Sequence, residues 1–521
     1  MNTNEYQPKV NPWLIALVVM VPTFMEVLDT TIVNVSLSHI AGSLSVSTDE
    51  STWVLTSYLI SNAIVIPSTA WFGERFGRKR FLMTCVAVFT AGSFLSGLAT
   101  NLPMLILMQV IMGAGGGAMQ PIAQTVLFES FPKEKHGQAM AVYTLGVVLA
   151  PVLGPVLGGW ITDNYSWRWC FFINIPVGII AMMLIQQFIH DPHWIRNARP
   201  PRLDMIGFSF MSLWLGCQEV LLDKGQEDDW FGSRFIQVMT VLAVIGLVVF
   251  VIRELTVKRP FVDLRSLKNY NFSLSVILMS LAGVALYGLT VIIPLFLQSL
   301  LGYTALLSGF AMASRGLGAL LSIAVAGKLL GKIPGHYILV AGFLMYGVAA
   351  YALSCISLDV SPSVLFWPVF FTGAGSGMMF VPLNTLALGV LKREELGNAS
   401  GILNLVRNVG GSIGIATVTT YVARHAQAHQ TNMVAHLTPY DPLYQSSFQK
   451  LTRIFAAHSD IVTAQQQAAG SMYHGLLTQA NMLAYLDNFR FFALVALAGL
   501  VITLFYKKVK RSKDSPPVAA H

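Results

Sequence analysis

Apolar runs of about twenty residues recur along nearly the whole chain, separated by short polar connections, and no other feature constrains the fold as strongly. A helix of that length crosses the hydrocarbon core of a bilayer with its backbone N–H and C=O groups bonded internally. Composition excludes the alternative of a water-soluble fold. Only 11% of the residues are charged, against about 25% in soluble domains, too few to coat a globular surface. Hydropathy predicts fourteen spanning helices, near 13–38, 52–72, 81–99, 104–127, 138–162, 170–189, 204–222, 235–253, 272–298, 306–329, 336–356, 364–389, 400–422 and 490–506. The one long connection, about 424–489, is polar, contains Gln and His, and is mostly free of breakers after Pro442, which predicts amphipathic helices inside it. The expected class is an all-α integral membrane protein.

The net charge of +8 could suggest a nucleic-acid partner, but the basic residues sit in short clusters between apolar runs and no basic face or RNA-binding signature accompanies them, so none is expected. Their distribution reads instead as topology. Most of the 33 Lys and Arg fall in connections on the N-terminal side, which predicts that both termini are cytoplasmic in a multi-pass protein of the cell (inner) membrane. Residues 1–12 are polar and the first apolar run is too long for a signal sequence, so no cleavable signal is expected. Cys85, Cys170, Cys217 and Cys355 lie singly in apolar segments; all four are expected to be buried, with neither a disulfide framework nor a metal site.

The chain also repeats itself. Gly113-Ala-Gly-Gly-Gly117 and Gly373-Ala-Gly-Ser-Gly377 lie 260 residues apart, and the same offset pairs Lys133 with Arg393, Gly137 with Gly397, Ala139 with Ala399 and Gly154 with Gly414. An earlier echo sets Gly73-x-x-x-Gly77-Arg78 against Gly327-x-x-x-Gly331-Lys332. Two six-helix halves in parallel orientation account for this, with two helices inserted between them. The expected organisation is a tail (1–12), a first bundle (13–199), the inserted pair (200–260), a second bundle (261–506, including the long loop) and a second tail (507–521). Parallel repeats of this kind build alternating-access transporters, with the substrate site at the repeat interface near the midplane.

Several segments resemble the major facilitator superfamily, and within it the fourteen-helix drug:proton antiporter family of the EmrB/QacA type. The first helix, Met25-Glu-Val-Leu-Asp-Thr-Thr-Ile-Val-Asn-Val-Ser36, is similar to that family's opening signature. Ala70-Trp-Phe-Gly-Glu-Arg-Phe-Gly-Arg-Lys-Arg80 resembles the superfamily's gating loop, with Ala70 in place of the first glycine and Glu74 in place of an aspartate; Gly73, Glu74, Arg75, Gly77 and Arg78 carry the match. Gly146-Val-Val-Leu-Ala-Pro-Val-Leu-Gly-Pro-Val-Leu-Gly-Gly159 is similar to the antiporter motif, through Gly146, Pro151, Gly154, Pro155, Gly158 and Gly159. The blocks 167–178, 401–414 and 479–489 match as well, and the likeness runs from about residue 13 to 506. Gln109 stands where the family usually has an arginine associated with proton handling. The resemblance implies the major facilitator fold and proton-coupled export of small lipophilic or amphipathic compounds. It also implies that the helix-five motif seals the cytoplasmic side, and it brings in a periplasmic membrane-fusion adaptor with an outer-membrane channel as partners.

Charges inside a helix bundle cost roughly 2.5–3.5 kcal/mol each to insert and face the interior, so each is informative. Glu26 and Asp29 are three apart in the first helix, hence on one face, and two neighbouring carboxylates tend to share a proton. They are the candidate proton carriers, although Asp29 could equally bond Thr30 or Thr31. Arg407, flanked by Asn404 and Asn408, is the best counter-charge; Arg315 is a second, unless it snorkels. Glu219 reads as interfacial. Gly146, Ala150, Gly154 and Gly158 form a ridge for close helix packing, and Pro151 and Pro155 should bend that helix.

Two matches are spurious: Gly113-x-Gly115-x-x-Ala118 has no preceding strand, and Gly410-x-Ser412-x-Gly414 lies mid-helix. No phosphate-binding Gly-x-x-x-x-Gly-Lys-Ser/Thr occurs, and no cofactor or metal is expected. Three readings stay open at this level: multidrug export, export of one endogenous metabolite or siderophore-like compound, and, from another class, a membrane hydrolase using Ser412 with His39 or His425.

Overall fold

In the computed structural model, residues 10–507 are described apart from 133–134, 192–203, 258–259, 331, 390, 392–394, 436 and 439. Lys133, Arg393 and Gly331 of the repeat, and most of both tails, therefore lie outside the described residues.

The described chain is helical throughout. In order the helices are α1 (Pro12–Leu44), α2 (Trp53–Phe76), α3 (Arg78–Gly97), α4 (Leu102–Ser130), α5 (His136–Asn164), α6 (Trp169–Phe188), α7 (Met205–Lys224), α8 (Arg234–Thr256), α9 (Tyr270–Leu300), α10 (Ala305–Leu329), α11 (Gly335–Leu353), α12 (Pro362–Gly389), α13 (Leu396–Val434), α14 (Pro442–Ala456) and α15 (Ile461–Thr503). Thirteen of them are long and apolar enough to cross a membrane. The fourteenth crossing is α13, which is long enough but more polar, because Ser400, Asn404, Arg407 and Ser412 are set into its inward face. Fourteen crossings return the described ends, near Val10 and Lys507, to one side, the terminal side.

The two halves superimpose their glycine chemistry. A Cβ on Gly113 would strike the Tyr58 carbonyl of α2, and one on Gly115 would lie 2.7 Å from Cys85 O of α3. In the second half a Cβ on Gly373 would strike the Arg315 carbonyl of α10, and one on Gly375 would lie 2.7 Å from Tyr346 N of α11. The repeated glycines thus make the same close approaches, α4 to α2 and α3, and α12 to α10 and α11. Backbone contact at such positions replaces the hydrophobic drive that a lipid solvent cannot supply.

The halves meet through α2 and α4 against α13, and through α5 against α10. On the terminal side these seams are tight: Gly397 faces Ala70, and a Cβ on Gly327 would lie 2.7 Å from that of Ala141. Of the inserted pair, α7 packs on α2 and α13, at the seam, and α8 packs on α7 and stays largely exposed. Arg253 pairs with Asp204 at 3.0 Å and ties the terminal-side ends of that pair together.

The long connection differs from the expectation. It is no separate insertion: α13 runs on to Val434, and the last helix begins at Ile461, not near residue 490. Tyr485 marks the level of the outer end of α9, where its hydroxyl lies 3.0 Å from Ser299 Oγ. Ile461 to Ala484 therefore project beyond the bundle by about 36 Å. Hydropathy senses the membrane, not the helix, and nothing in residues 461–489 breaks the helix. α14 lies along this extension. Cys355 is also a correction, being exposed just past the end of α11, while Cys85, Cys170 and Cys217 are buried.

Candidate functional site

A cavity of about 380 Å³ lies between the halves, from the middle of the bundle toward the side opposite the termini. Most of its wall area is apolar, from side chains such as Val27, Leu59, Val147, Leu286, Met312 and Phe380, but more than half of the lining residues carry a polar or charged group. That composition suits small amphipathic ligands, which bury apolar surface against the wall and meet polar groups placed within it.

Glu26 is the first of those groups. Its Oε1 accepts from Asn62 Nδ2 at 3.1 Å and from the Tyr58 hydroxyl at 3.3 Å, and its Oε2 accepts from Gln120 Nε2 at 2.7 Å. The Gln120 carbonyl oxygen in turn accepts from the Arg407 guanidinium. One amide therefore links the acid of α1 to the cation of α13, across the seam. Arg407 lines the cavity, and its Nε has no partner among the described residues.

A second amide doubles the crossing deeper in the seam. Gln124 Oε1 accepts from Asn404 Nδ2 at 2.8 Å and from Ser400 Oγ at 3.0 Å. The expected polar residues of α13 thus divide: Asn408 and Arg407 face the cavity, while Asn404 holds the halves together.

Asp29 is buried but does not line the cavity. Its Oδ1 accepts from Asn174 Nδ2 of α6 at 2.6 Å, and Asn174 also donates to Ser93 Oγ of α3 at 3.0 Å. Thr30 and Thr31 donate to the Val27 and Leu28 carbonyls, so neither is the partner of Asp29. The two carboxylates of α1 consequently serve different neighbours, with Glu26 on the cavity and Asp29 on the α3/α6 side.

Arg315 does not snorkel. It is buried, lines the cavity, and donates to Thr290 Oγ1 at 2.7 Å and to the Leu286 carbonyl at 3.1 Å. Gln109 is buried away from the cavity, and its Nε2 has no partner among the described residues.

Glu219 corrects the interfacial reading. It is buried, it lines the cavity, and its Oε1 accepts from Ser412 Oγ of α13 at 2.7 Å. One turn further on, Asp223 accepts from the Thr56 hydroxyl of α2. The inserted helix α7 thereby bonds both halves and adds two acidic groups, Glu219 and Asp223, to the cavity wall. The same contact gives no support to the serine-hydrolase reading with His425, since the Ser412 hydroxyl donates to a carboxylate and His425 lies about 20 Å further along the helix.

The motifs sit at the seams. Gly77, at φ +84°, turns the chain between α2 and α3, and a Cβ there would lie 2.6 Å from Asp191 Oδ2. Asp191 accepts from Lys79 N at 2.9 Å, and Arg78 pairs with Glu129 of α4. The turn is thereby fastened to α4 and to the end of α6. Gly73 is buried, Glu74 half-buried and Arg75 exposed. In α5, Gly146 faces Met20 and Gly154 faces Thr31, while Gly158 lies within 3.1 Å of Ile32 O for any added Cβ, so the ridge seats on α1. Gly159 meets nothing within 4 Å. Pro151, on the cavity, and Pro155 lie inside a helix that runs unbroken from His136 to Asn164.

Gln120, Gln124, Asn62, Tyr58 and Asn174 were not singled out from sequence. Gln120 and Gln124 follow the Gly113–Gly117 run by one and two turns, and Asn174 lies in the 167–178 block, which are the signals that could have found them.

Comparison with known proteins agrees with this architecture. The sequence profile of the Major Facilitator Superfamily matches residues 19–415. The chain is 34% identical to the multidrug export protein EmrB of Haemophilus influenzae over 95% of each chain. It is 36% identical to the fatty acid resistance protein FarB of Neisseria gonorrhoeae, over 80% of this chain and 82% of that one. Among solved structures, the human organic anion transporter MFSD10 superimposes with a TM-score of 0.58 at 12% identity, covering 95% of this chain and 100% of that one.

Proposed function

This chain belongs to the Major Facilitator Superfamily as a multi-pass membrane transporter, and we propose that it exports a range of small lipophilic and amphipathic compounds by proton antiport. The observation that carries the proposal is the Glu26–Gln120–Arg407 link. A titratable acid in the cavity wall is joined by one amide to a cation of the opposite half. Protonating Glu26 removes the negative end of that link, and a ligand that occupies the cavity competes for the same groups. Proton and substrate would then exclude each other, which is the requirement for exchange. Asp29 acts with it, as a buried acid whose charge is read by Asn174 and hence by α3 and α6. Relatives whose names specify multidrug export and fatty acid resistance support a broad, lipophilic substrate range.

The Lys/Arg distribution assigns the terminal side to the cytoplasm. On that assignment the closed seams, α2/α13 and α5/α10, are the cytoplasmic gate, and the cavity faces outward. The turn at Gly77–Arg78 keeps the first half rigid next to that gate. Reporter fusions test the assignment: a reporter at residue 515 is expected to behave as cytoplasmic and one inserted at Gln465 as external, and the opposite result at either site would reject it.

Transport by the purified chain in proteoliposomes tests the coupling. An imposed pH gradient is expected to drive substrate against its concentration and a protonophore to collapse it; equal transport without a gradient would refute antiport.

Glu219 should set which charge the cavity accepts. It has a hydroxyl partner and no cation among the described residues, whereas Arg315 and Arg407 supply positive charge across the cavity. Glu219→Gln is expected to weaken transport of lipophilic cations about tenfold, equivalent to about 1.4 kcal/mol, and to spare lipophilic anions. An equal loss for both classes in a substrate-competition assay would make Glu219 a structural tie only.

A further inference from the structure

Outside the bundle, three metal-type donors converge at the point where α13 and α15 leave the membrane level. His425 and His429 are four apart on α13 and so project from one face of the helix. Asp487 comes from α15. Its Oδ2 lies 3.1 Å from His425 Nδ1 and 2.8 Å from His429 Nε2, and all three donor atoms lie within 4.8 Å of one another.

We propose that His425, His429 and Asp487 form a site for a divalent transition metal of the zinc class, which clamps α13 to α15 at the root of the outer arm. Nothing in the transport reading requires this site, and it stands apart from the cavity.

The chemistry of the donors carries the assignment. Two imidazoles and one carboxylate are a preferred set for zinc and its neighbours, and a helical His-x-x-x-His pair is a preorganised half of such a set. Ligands at 2.0–2.1 Å from a tetrahedral ion stand roughly 3.3 Å apart. Both nitrogen–oxygen separations are already near that value, so a small side-chain rotation closes the site. The surroundings orient it. Arg490 Nη1 donates to Asp487 Oδ1 at 3.0 Å, leaving Oδ2 for the ion, and Tyr421 stacks on His425 at 4.6 Å between ring centroids. Outer-shell contacts of this type fix ligand direction. All three residues are half-buried, so solvent reaches the site and an ion can enter, with water completing its coordination.

Metal entry requires a lone pair on each facing nitrogen. Each neutral ring then carries its proton on the other nitrogen, and the carboxylate stays ionised. The ion replaces two hydrogen bonds to a single oxygen with three bonds to one centre, joining two helices that also touch here through Tyr421 and Phe491, whose ring centroids lie 5.3 Å apart.

The test uses the full, tag-free chain in detergent, stripped with chelator and titrated with Co²⁺ and Zn²⁺. One Co²⁺ per chain is expected, with visible absorption of tetrahedral type, displaced by Zn²⁺. His429→Ala and Asp487→Asn are each expected to weaken binding about a hundredfold, and His458→Ala, outside the cluster, to leave it unchanged. Hydrogen exchange supplies a second reading that needs no variant: Zn²⁺ should slow exchange near residues 422–434 and 480–490 and leave α1 to α6 untouched. Absent saturable binding, or binding equal in wild type and in the His425→Ala/His429→Ala double variant, would overturn the proposal. So would binding without protection of the two helices, which would leave no clamp.

Discussion

Glu26→Gln is expected to abolish export driven by a pH gradient, by two orders of magnitude or more, while the chain inserts and folds normally. The substitution keeps the size of the side chain and an acceptor oxygen for Gln120 or Asn62, so the seam between α1, α2 and α4 loses little packing. What it removes is titration at the one acid, among the described residues, that both lines the cavity and is linked to Arg407. Substrate counterflow, which needs no net proton movement, should persist at a rate within severalfold of wild type. Asp29→Asn is expected to lose gradient-driven export as well, but with unchanged substrate affinity, because Asp29 touches Asn174 and not the cavity. The two readouts separate the cases. Full gradient-driven transport in Glu26→Gln would show that its proton is carried elsewhere. A shift in substrate affinity in Asp29→Asn would show that the α3/α6 side communicates with ligand.

What the sequence could and could not reveal follows from what each signal measures. Hydropathy located the crossings within a few residues because the bilayer sets their length, and the glycine repeat revealed the two halves because close helix approach tolerates no side chain. Arg407 and Glu26 were visible as charges out of place. The amides that join them, Gln120 and Gln124, carry no charge and so lack that mark, although a buried amide also needs a hydrogen-bond partner. Helical periodicity put Glu26 and Asp29 on one face, yet three residues are still about 60° apart around the axis. Among helices packed this closely, that angle separates the cavity from the α3/α6 side. For Glu219, a position near one end of α7 is legible from hydropathy, but depth does not reveal direction; burial against Ser412 does. The helices expected within 424–489 are present, but hydropathy does not reveal that they continue α13 and α15 without a break, because it changes at the membrane level while the helix does not.

Removing the outer arm is expected to separate transport from resistance. The Gln430 amide donates to the Tyr473 hydroxyl at 2.7 Å, which marks a level at which the extensions of α13 and α15 stand side by side. Deleting residues 431–472 and joining Gln430 to Tyr473 through a short Gly/Ser linker therefore spares the packed segment Leu476 to Phe489 and the bundle beneath it. The deleted part buries little. Tyr440 is 92% exposed and Leu443 77%, and Ile454, Ile461 and Val462 are also exposed, so α14 and the tip of α15 present apolar side chains to water beyond the membrane level. Exposed apolar surface on an amphipathic helical arm is the kind of face another helical protein covers. A periplasmic adaptor of the membrane-fusion class, the partner implied by the resemblance to EmrB-type exporters, would gain its foothold there. If so, the shortened chain should move substrate in proteoliposomes within severalfold of wild type, while cells expressing it lose nearly all resistance. Equal loss in both assays would make the arm a lid over the cavity, and no loss in either would leave it without a role in export.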